Sequence, residues 1–143
     1  SYATLEAIRV AEILEKEDIG VEVVDLRTIR PMDTETILNS VRKTRRLMVV
    51  DHSWKSFGVA AEVLALVAEE LFGDLKCKPV RVTLPNLPMP SSAGLTKLFY
   101  PRPIHLINTI YNLLDLPQKT ERELGLSTNI PLDIPDKSFT GSF

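Results

Sequence analysis

A chain of 143 residues, 44% hydrophobic and 25% charged, is large enough for one globular domain with a proper core. Its net charge of −2 comes from mixed signs along the chain, which excludes the basic field that nucleic-acid binding requires. Cys77 is the only cysteine, so an intrachain disulfide is impossible, and a reducing compartment is expected over secretion.

Ser1-Tyr2-Ala3 leads directly into an amphipathic pattern, so no signal peptide is expected there. The spacing predicts a helix over 4–17, with Ala7, Ile8, Val10, Ala11 and Leu14 on the apolar face and Glu6, Arg9, Glu12 and Lys16 on the polar one. Gly20 stands where a helix stop is expected. Val21 to Leu26 is a β-branched run that reads as a strand. Pro31 closes the next loop, and Asp33 is a good N-cap for a helix over 34–43 with Ile37, Leu38 and Val41 inward. The basic cluster Arg42, Lys43, Arg45 and Arg46 suits the negative end of that helix.

Leu47 to Val50 is wholly apolar, as a strand covered on both faces should be, and a polar loop from Asp51 to Ser56 follows. A helix over 58–72 is apolar almost all round, with Glu62 and Glu69 as its polar stripe, and should be largely buried. Its longest apolar region, Val63 to Ala68, is flanked by glutamates and falls far short of the roughly 20 residues of a membrane span. Pro79 to Thr83 reads as another strand. Pro85, Pro88 and Pro90 then break the chain into extended loop, and Pro103 fits the first turn of a helix over 104–114 carrying Ile107, Ile110, Leu113 and Leu114. From Asp115 onward periodicity is weak. Ile130, Leu132, Ile134, Phe139 and Phe143 make that tail too apolar for plain solvent, so docking, as on a neighbouring subunit, is favoured over disorder.

Strands alternating with helices of about 10 to 15 residues indicate crossover units in an α/β fold with a mostly parallel sheet. The expected architecture is a three-layer α/β/α domain over residues 1–116 and an extended tail over 117–143. Because a helix comes first, the strand that feeds it is expected upstream of Ser1. That would leave the sheet without its N-terminal strand or strands and expose backbone edges.

The residues form no recognisable catalytic constellation. The glycines at 20, 58, 73, 94, 125 and 141 make neither a dinucleotide fingerprint nor a P-loop. His52 and His105 have no Cys or carboxylate at zinc-ligand spacing, and no Gly-x-Ser-x-Gly elbow occurs. Cys77 has only Lys76 and Lys78 nearby and is not expected to be a nucleophile. Catalytic, cofactor-binding and metal residues are therefore expected to be none. One segment stands out, Asp51 to Glu62, which leaves the carboxyl end of a buried strand and enters a helix, where open α/β sheets bind ligands. Here His52, Trp54, Phe57 and Gly58 are taken as interface residues. Trp54 and Phe57 supply contact area, while Gly58, with Ala60 and Ala61, permits close approach of helix to sheet. A small-molecule site on this loop, with His52 titrating near neutrality, is the rival reading.

The string Val-Val-Asp-Leu-Arg-Thr-Ile-Arg-Pro-Met-Asp, residues 23–33, resembles a hallmark of the transketolase C-terminal domain family. It is closest to the form in β subunits of the thiamine-diphosphate-dependent E1 of pyruvate, branched-chain 2-oxo acid and acetoin dehydrogenases. Thr44 to Asp51 is similar to the family's Thr-x-Arg-Leu-Val-Val-Val-Glu strand, and Phe57 to Glu62 to its Phe-Gly-Val-Gly-Ala-Glu helix start. Leu84 to Pro101 looks like the proline-rich connection that follows. The ordered set covers roughly residues 1–114. Asp51 and His52 stand where Glu is common and Ala60 where Gly is common, so the resemblance carries no role over to His52.

The resemblance implies an enzyme that decarboxylates a 2-oxo acid, with pyruvate favoured, on thiamine diphosphate with Mg²⁺ and passes the acyl group to the lipoyl of E2. It places the diphosphate and Mg²⁺ chiefly in the E1 α subunit and the activating glutamate in the N-terminal domain of β. To this domain it gives dimerisation with a second E1 β subunit and docking of the E2 subunit-binding domain. The compartment implied is bacterial cytoplasm or mitochondrial matrix. The equivalent domain of a transketolase or deoxyxylulose phosphate synthase, acting on sugar phosphates, is the alternative within the family.

Overall fold

The computed structural model describes residues 2–92, 95 and 99–126. Its elements, in chain order, are α1 (Tyr2–Glu15), α2 (Thr34–Thr44), β1 (Met48–Trp54), α3 (Val59–Leu71) with a 3-10 turn (Phe72–Asp74), β2 (Val80–Leu84) and α4 (Pro103–Leu113). The strands pair in parallel, from Met48 opposite Val80 to Asp51 opposite Thr83. The apolar tail residues from Ile130 to Phe143 lie outside the described residues.

Helices cover both faces of this sheet. On one face Val10 and Leu14 of α1 and Leu106, Ile107, Ile110 and Tyr111 of α4 form a buried cluster against Met48, Val50 and Val82. On the other face Ile37 and Val41 of α2 and Val63, Val67 and Leu71 of α3 pack on Leu47 and Val49. Alternate residues of β1 thus serve opposite helix layers, which is why the whole run is apolar. Each such side chain contributes about 1.5–3 kcal/mol by leaving water. The three-layer α/β/α architecture expected from the sequence is present.

Several details differ from the sequence reading. Val21 to Leu26 is extended but carries no strand pairing, because no ladder partner stands within hydrogen-bonding reach among the described residues. β1 runs on through Trp54, beyond the expected strand end at Val50, because β2 continues beside it to Leu84. The buried stripe of α1 is Ala3, Glu6, Val10 and Leu14, so the helix is rotated from the expected phase. Ile8 is thereby left 43% exposed, and buried Glu6 is held by Arg9 Nη1 at 3.3 Å. The third helix is not largely buried. Ala60, Val63, Val67 and Leu71 are fully covered and Val59 and Leu66 partly so, while small Ala65 and Ala68, whose exposure costs little, share the open side with Glu62, Glu69 and Glu70.

Asp33 caps α2 as expected, its carboxylate accepting from the Thr36 N–H at 3.0 Å. Three of the other helix stops use residues other than glycine. Asp18 (φ 60°) ends α1, with the Ile19 N–H donating to the Leu14 carbonyl and the Asp18 N–H to the Glu15 carbonyl. Asp115 (φ 57°) ends α4 in the same way, and Arg45 (φ 57°) caps α2 through its N–H to Val41. After α4, Leu124 and Leu126 pack on the α1–α4 cluster. There Lys119 Nζ donates to Glu17 at 2.6 Å, and the Tyr111 hydroxyl donates to the same carboxylate.

Candidate functional site at the carboxyl end of the sheet

The four interface residues read from the sequence lie between the end of β1 and the start of α3, but they face different surroundings. The register between β1 and β2 shifts between Asp51 and Trp54, so His52 and Ser53 bulge out of the ladder. His52 turns towards α1 and the Phe99–Tyr100 segment. Its ring lies 6.2 Å from that of Tyr2 and 6.5 Å from that of Tyr100. Burial pushes the His52 imidazole pKa down, and the nearby Asp51 and Glu6 carboxylates oppose that shift. Trp54, beyond the bulge, is 59% exposed and Phe57 is fully exposed.

A polar latch holds this loop. Asp51 accepts from the Ser53 N–H at 2.9 Å, the Ser53 hydroxyl at 2.6 Å and the Ala60 N–H at 3.2 Å. Its carboxylate therefore closes the first turn of α3, where a helix offers unpaired donors. Gly58 threads through this knot. A Cβ there would stand 2.3 Å from Ser53 Oγ and 2.7 Å from the Trp54 carbonyl oxygen. On the outer side Arg81 Nη1 donates to the Lys55 carbonyl at 2.7 Å, the Ser56 N–H donates to Asn86 Oδ1 at 3.1 Å, and Asn86 Nδ2 donates to Ser56 Oγ at 2.7 Å. Those bonds bring alongside the loop that carries Leu87 and Met89, both more than half exposed.

Phe57 has φ of 61°, in the left-handed region where a residue with a Cβ pays about 1–2 kcal/mol. Such an outlier on an anchored loop points to a functional use of the side chain. Trp54, Phe57, Leu87 and Met89 are thus exposed apolar side chains on two segments that the Ser56–Asn86 hydrogen bonds tie together. Sequence reasoning did not single out Arg81, Asn86, Leu87 or Met89. Asn86, between two prolines in Pro-Asn-Leu-Pro, was the available signal, since asparagine there bonds neighbouring backbone. Nothing local to the sequence announced Tyr2 and Tyr100 beside His52.

Among the described residues, no group of three or more His, Cys, Asp or Glu is placed to hold a metal ion. The amino end of α3 does not suit a diphosphate either, because the Asp51 carboxylate already occupies its first turn and would repel one.

Residues 2–106, which span the parallel sheet and the helices of both layers, match the family model "Transketolase, C-terminal domain". The chain belongs to that family. Among curated proteins it is 46% identical over 95 residues to the mitochondrial pyruvate dehydrogenase E1 component subunit beta of Pisum sativum, covering 66% of this chain and 26% of that protein. It is 38% identical over 104 residues to the subunit beta of Rickettsia bellii, covering 73% and 32% respectively. A solved split-gene transketolase, described as an inactive beta4 tetramer, superposes with a TM-score of 0.66 over 81% of this chain and 37% of its own, at 23% identity, which shows the shared fold. The chain thus spans about a quarter to a third of the curated relatives it matches.

Proposed function

We propose that the chain is the C-terminal assembly domain of a pyruvate dehydrogenase E1 β subunit. It would join β to a second β subunit and to the E1 α subunit, and present a docking surface to the E2 subunit-binding domain. The reaction of the whole enzyme would be oxidative decarboxylation of pyruvate with acyl transfer to E2 lipoyl. Identity to E1 β subunits supports the enzyme class. The observation that carries the assembly role is the exposed aromatic pair Trp54 and Phe57, the latter fully exposed at a positive φ. Aromatic side chains held rigidly in solvent are what a protein interface uses as anchors. Thiamine diphosphate and Mg²⁺ are assigned to parts of the enzyme outside this chain, since its one helix start at the loop is already closed by Asp51. Mitochondrial matrix or bacterial cytoplasm is the matching location. No described helix is long and apolar enough to cross a membrane.

The test uses the complete E1 enzyme carrying Trp54→Ala in its β subunit. Sedimentation and E2 binding should weaken about tenfold or more, while decarboxylation by the assembled fraction, followed with an artificial electron acceptor, should stay near normal. Intact assembly with lost turnover would instead place Trp54 in the active site.

A further inference from the structure

The chain has three methionines, and their surroundings differ. Met48 packs on the α1–α4 cluster and Met32 on the α2–α3 cluster, both partly buried. Met89 is 66% exposed, on the segment broken by Pro85, Pro88 and Pro90. Its Sδ accepts a hydrogen bond from the Tyr100 hydroxyl at 3.3 Å. A thioether sulfur carries two lone pairs and is a weak acceptor. The Tyr100 bond takes one pair, and the other is open to solvent and to an electrophile.

The donor has little freedom to move with its acceptor. The Tyr100 ring stands edge-on to that of Phe99, with centroids 5.3 Å apart and planes at 80°, and to that of His52 at 6.5 Å and 74°. Phe99 is itself buried, and Pro103 in the first turn of α4 follows closely. Aromatic rings set edge to face in this way hold one another's orientation. The Tyr100 hydroxyl is therefore a fixed donor that marks one side of the Met89 sulfur. Oxygen added to one side or the other gives one or the other sulfoxide epimer.

We propose that Met89 is an oxidation site for hydrogen peroxide, and that Tyr100 selects which sulfoxide epimer forms. The free sulfur lone pair attacks one peroxide oxygen. The S–O bond forms as the O–O bond breaks, and the O–O electron pair leaves with the second oxygen. That oxygen takes the first oxygen's proton through solvent and departs as water. Sulfur loses two electrons and peroxide gains them. The product carries a polar oxygen where a flexible apolar side chain stood, and an epimer-specific reductase restores the thioether. The segment carrying Leu87 and Met89 thus passes reversibly from an apolar to a polar surface. The inference does not depend on which reaction the whole enzyme performs.

The experiment exposes the 143-residue chain to hydrogen peroxide and follows each methionine by peptide mass spectrometry. Met89 should oxidise at least about tenfold faster than Met32 and Met48, because oxidation follows exposure. The oxidised chain is then digested, and its Met89 peptide is divided between two reductases, each specific for one epimer. One reductase should repair at least about four-fifths of the Met89 sulfoxide. In Tyr100→Phe, which keeps the ring and loses the donor, each should repair about half. The parent chain unfolded in urea makes the same comparison without a variant, and its three methionines should oxidise at one rate with even epimers. A Met89 rate no faster than that of Met32 or Met48 overturns the proposal. So does an even epimer mixture in the folded parent, or a bias that persists in Tyr100→Phe or in urea.

Discussion

Replacing Gly58 by alanine tests whether the Asp51 latch holds the loop that carries Trp54 and Phe57. The backbone at Gly58 (φ −80°, ψ 167°) is open to any residue, so the cost must come from contact and not from torsion. The added methyl would meet Ser53 Oγ at 2.3 Å, which a rotation of that side chain can relieve, and the Trp54 carbonyl at 2.7 Å, which only backbone movement can relieve. Carbon–oxygen contacts settle at about 3.3 Å or more. Overpacking of this kind costs about 1–3 kcal/mol. Expelling the Ser53 hydroxyl from the Asp51 carboxylate adds about 1 kcal/mol, so Gly58→Ala should destabilise the chain by about 2–4 kcal/mol. Urea unfolding followed by fluorescence reads this at the right place, because Trp54 is the only tryptophan and sits on the loop. The same substitution in a Ser53→Ala background should cost less, since one of the two clashes is then gone. A Gly58→Ala variant within about 0.5 kcal/mol of the parent, or strict additivity with Ser53→Ala, would refute the latch as the loop's organising element.

Phe57→Gly should stabilise the isolated chain by up to about 1 kcal/mol, because glycine accepts the positive φ, while E1 assembly weakens; chemical denaturation beside sedimentation of the whole enzyme checks both. His52 carries a pKa lowered from 6.5, so the unfolded chain takes up its proton more readily than the folded one. The stability it contributes is complete above that value and is lost as pH falls through it towards the lower folded pKa. His52→Gln should therefore flatten the fall in Tm between pH 7.5 and 5, and an unchanged slope would count against burial as the cause. Lys119 holds the Glu17 carboxyl below its ordinary range, with Tyr111 assisting. Lys119→Met should bring the Glu17 pKa back up in an NMR titration, and a value that does not move would show that the pair is not formed in solution.

The parts of the fold legible in the sequence were those fixed by local rules. Asp33 caps α2 through its own side chain, and the apolar run of β1 follows from helices on both sides. The helix stops were not legible, since Asp18, Arg45 and Asp115 adopt the left-handed conformation that sequence reasoning assigns to glycine. Gly20, taken as a stop, lies beyond the turn that ends α1. The phase of α1 was misjudged because Glu6 counts as a surface residue by type, yet Arg9 lets it be covered. Val21 to Leu26 has the composition of a strand, but pairing is a property of neighbours and not of residues. Trp54 and Phe57 were singled out from residue type and position alone, and both are exposed. The Arg81 and Asn86 anchors that fix their loop come from β2 and the turn after it, and only the folded chain brings them close.

The clamp of Lys119 and Tyr111 on Glu17 carries a kinetic consequence. Its partners are 102 and 94 residues apart, so closing it before the rest has collapsed carries the loop-closure entropy of that whole span. Loop-closure entropy for a span of that size is met only after the sheet and both helix layers have shortened the path. The clamp should thus be among the last contacts to form and the first to open. Opening frees the end of α1 and the segment after α4 together. Cleavage anywhere between α4 and Lys119 would then register at the far end of the sequence, as faster fraying of α1.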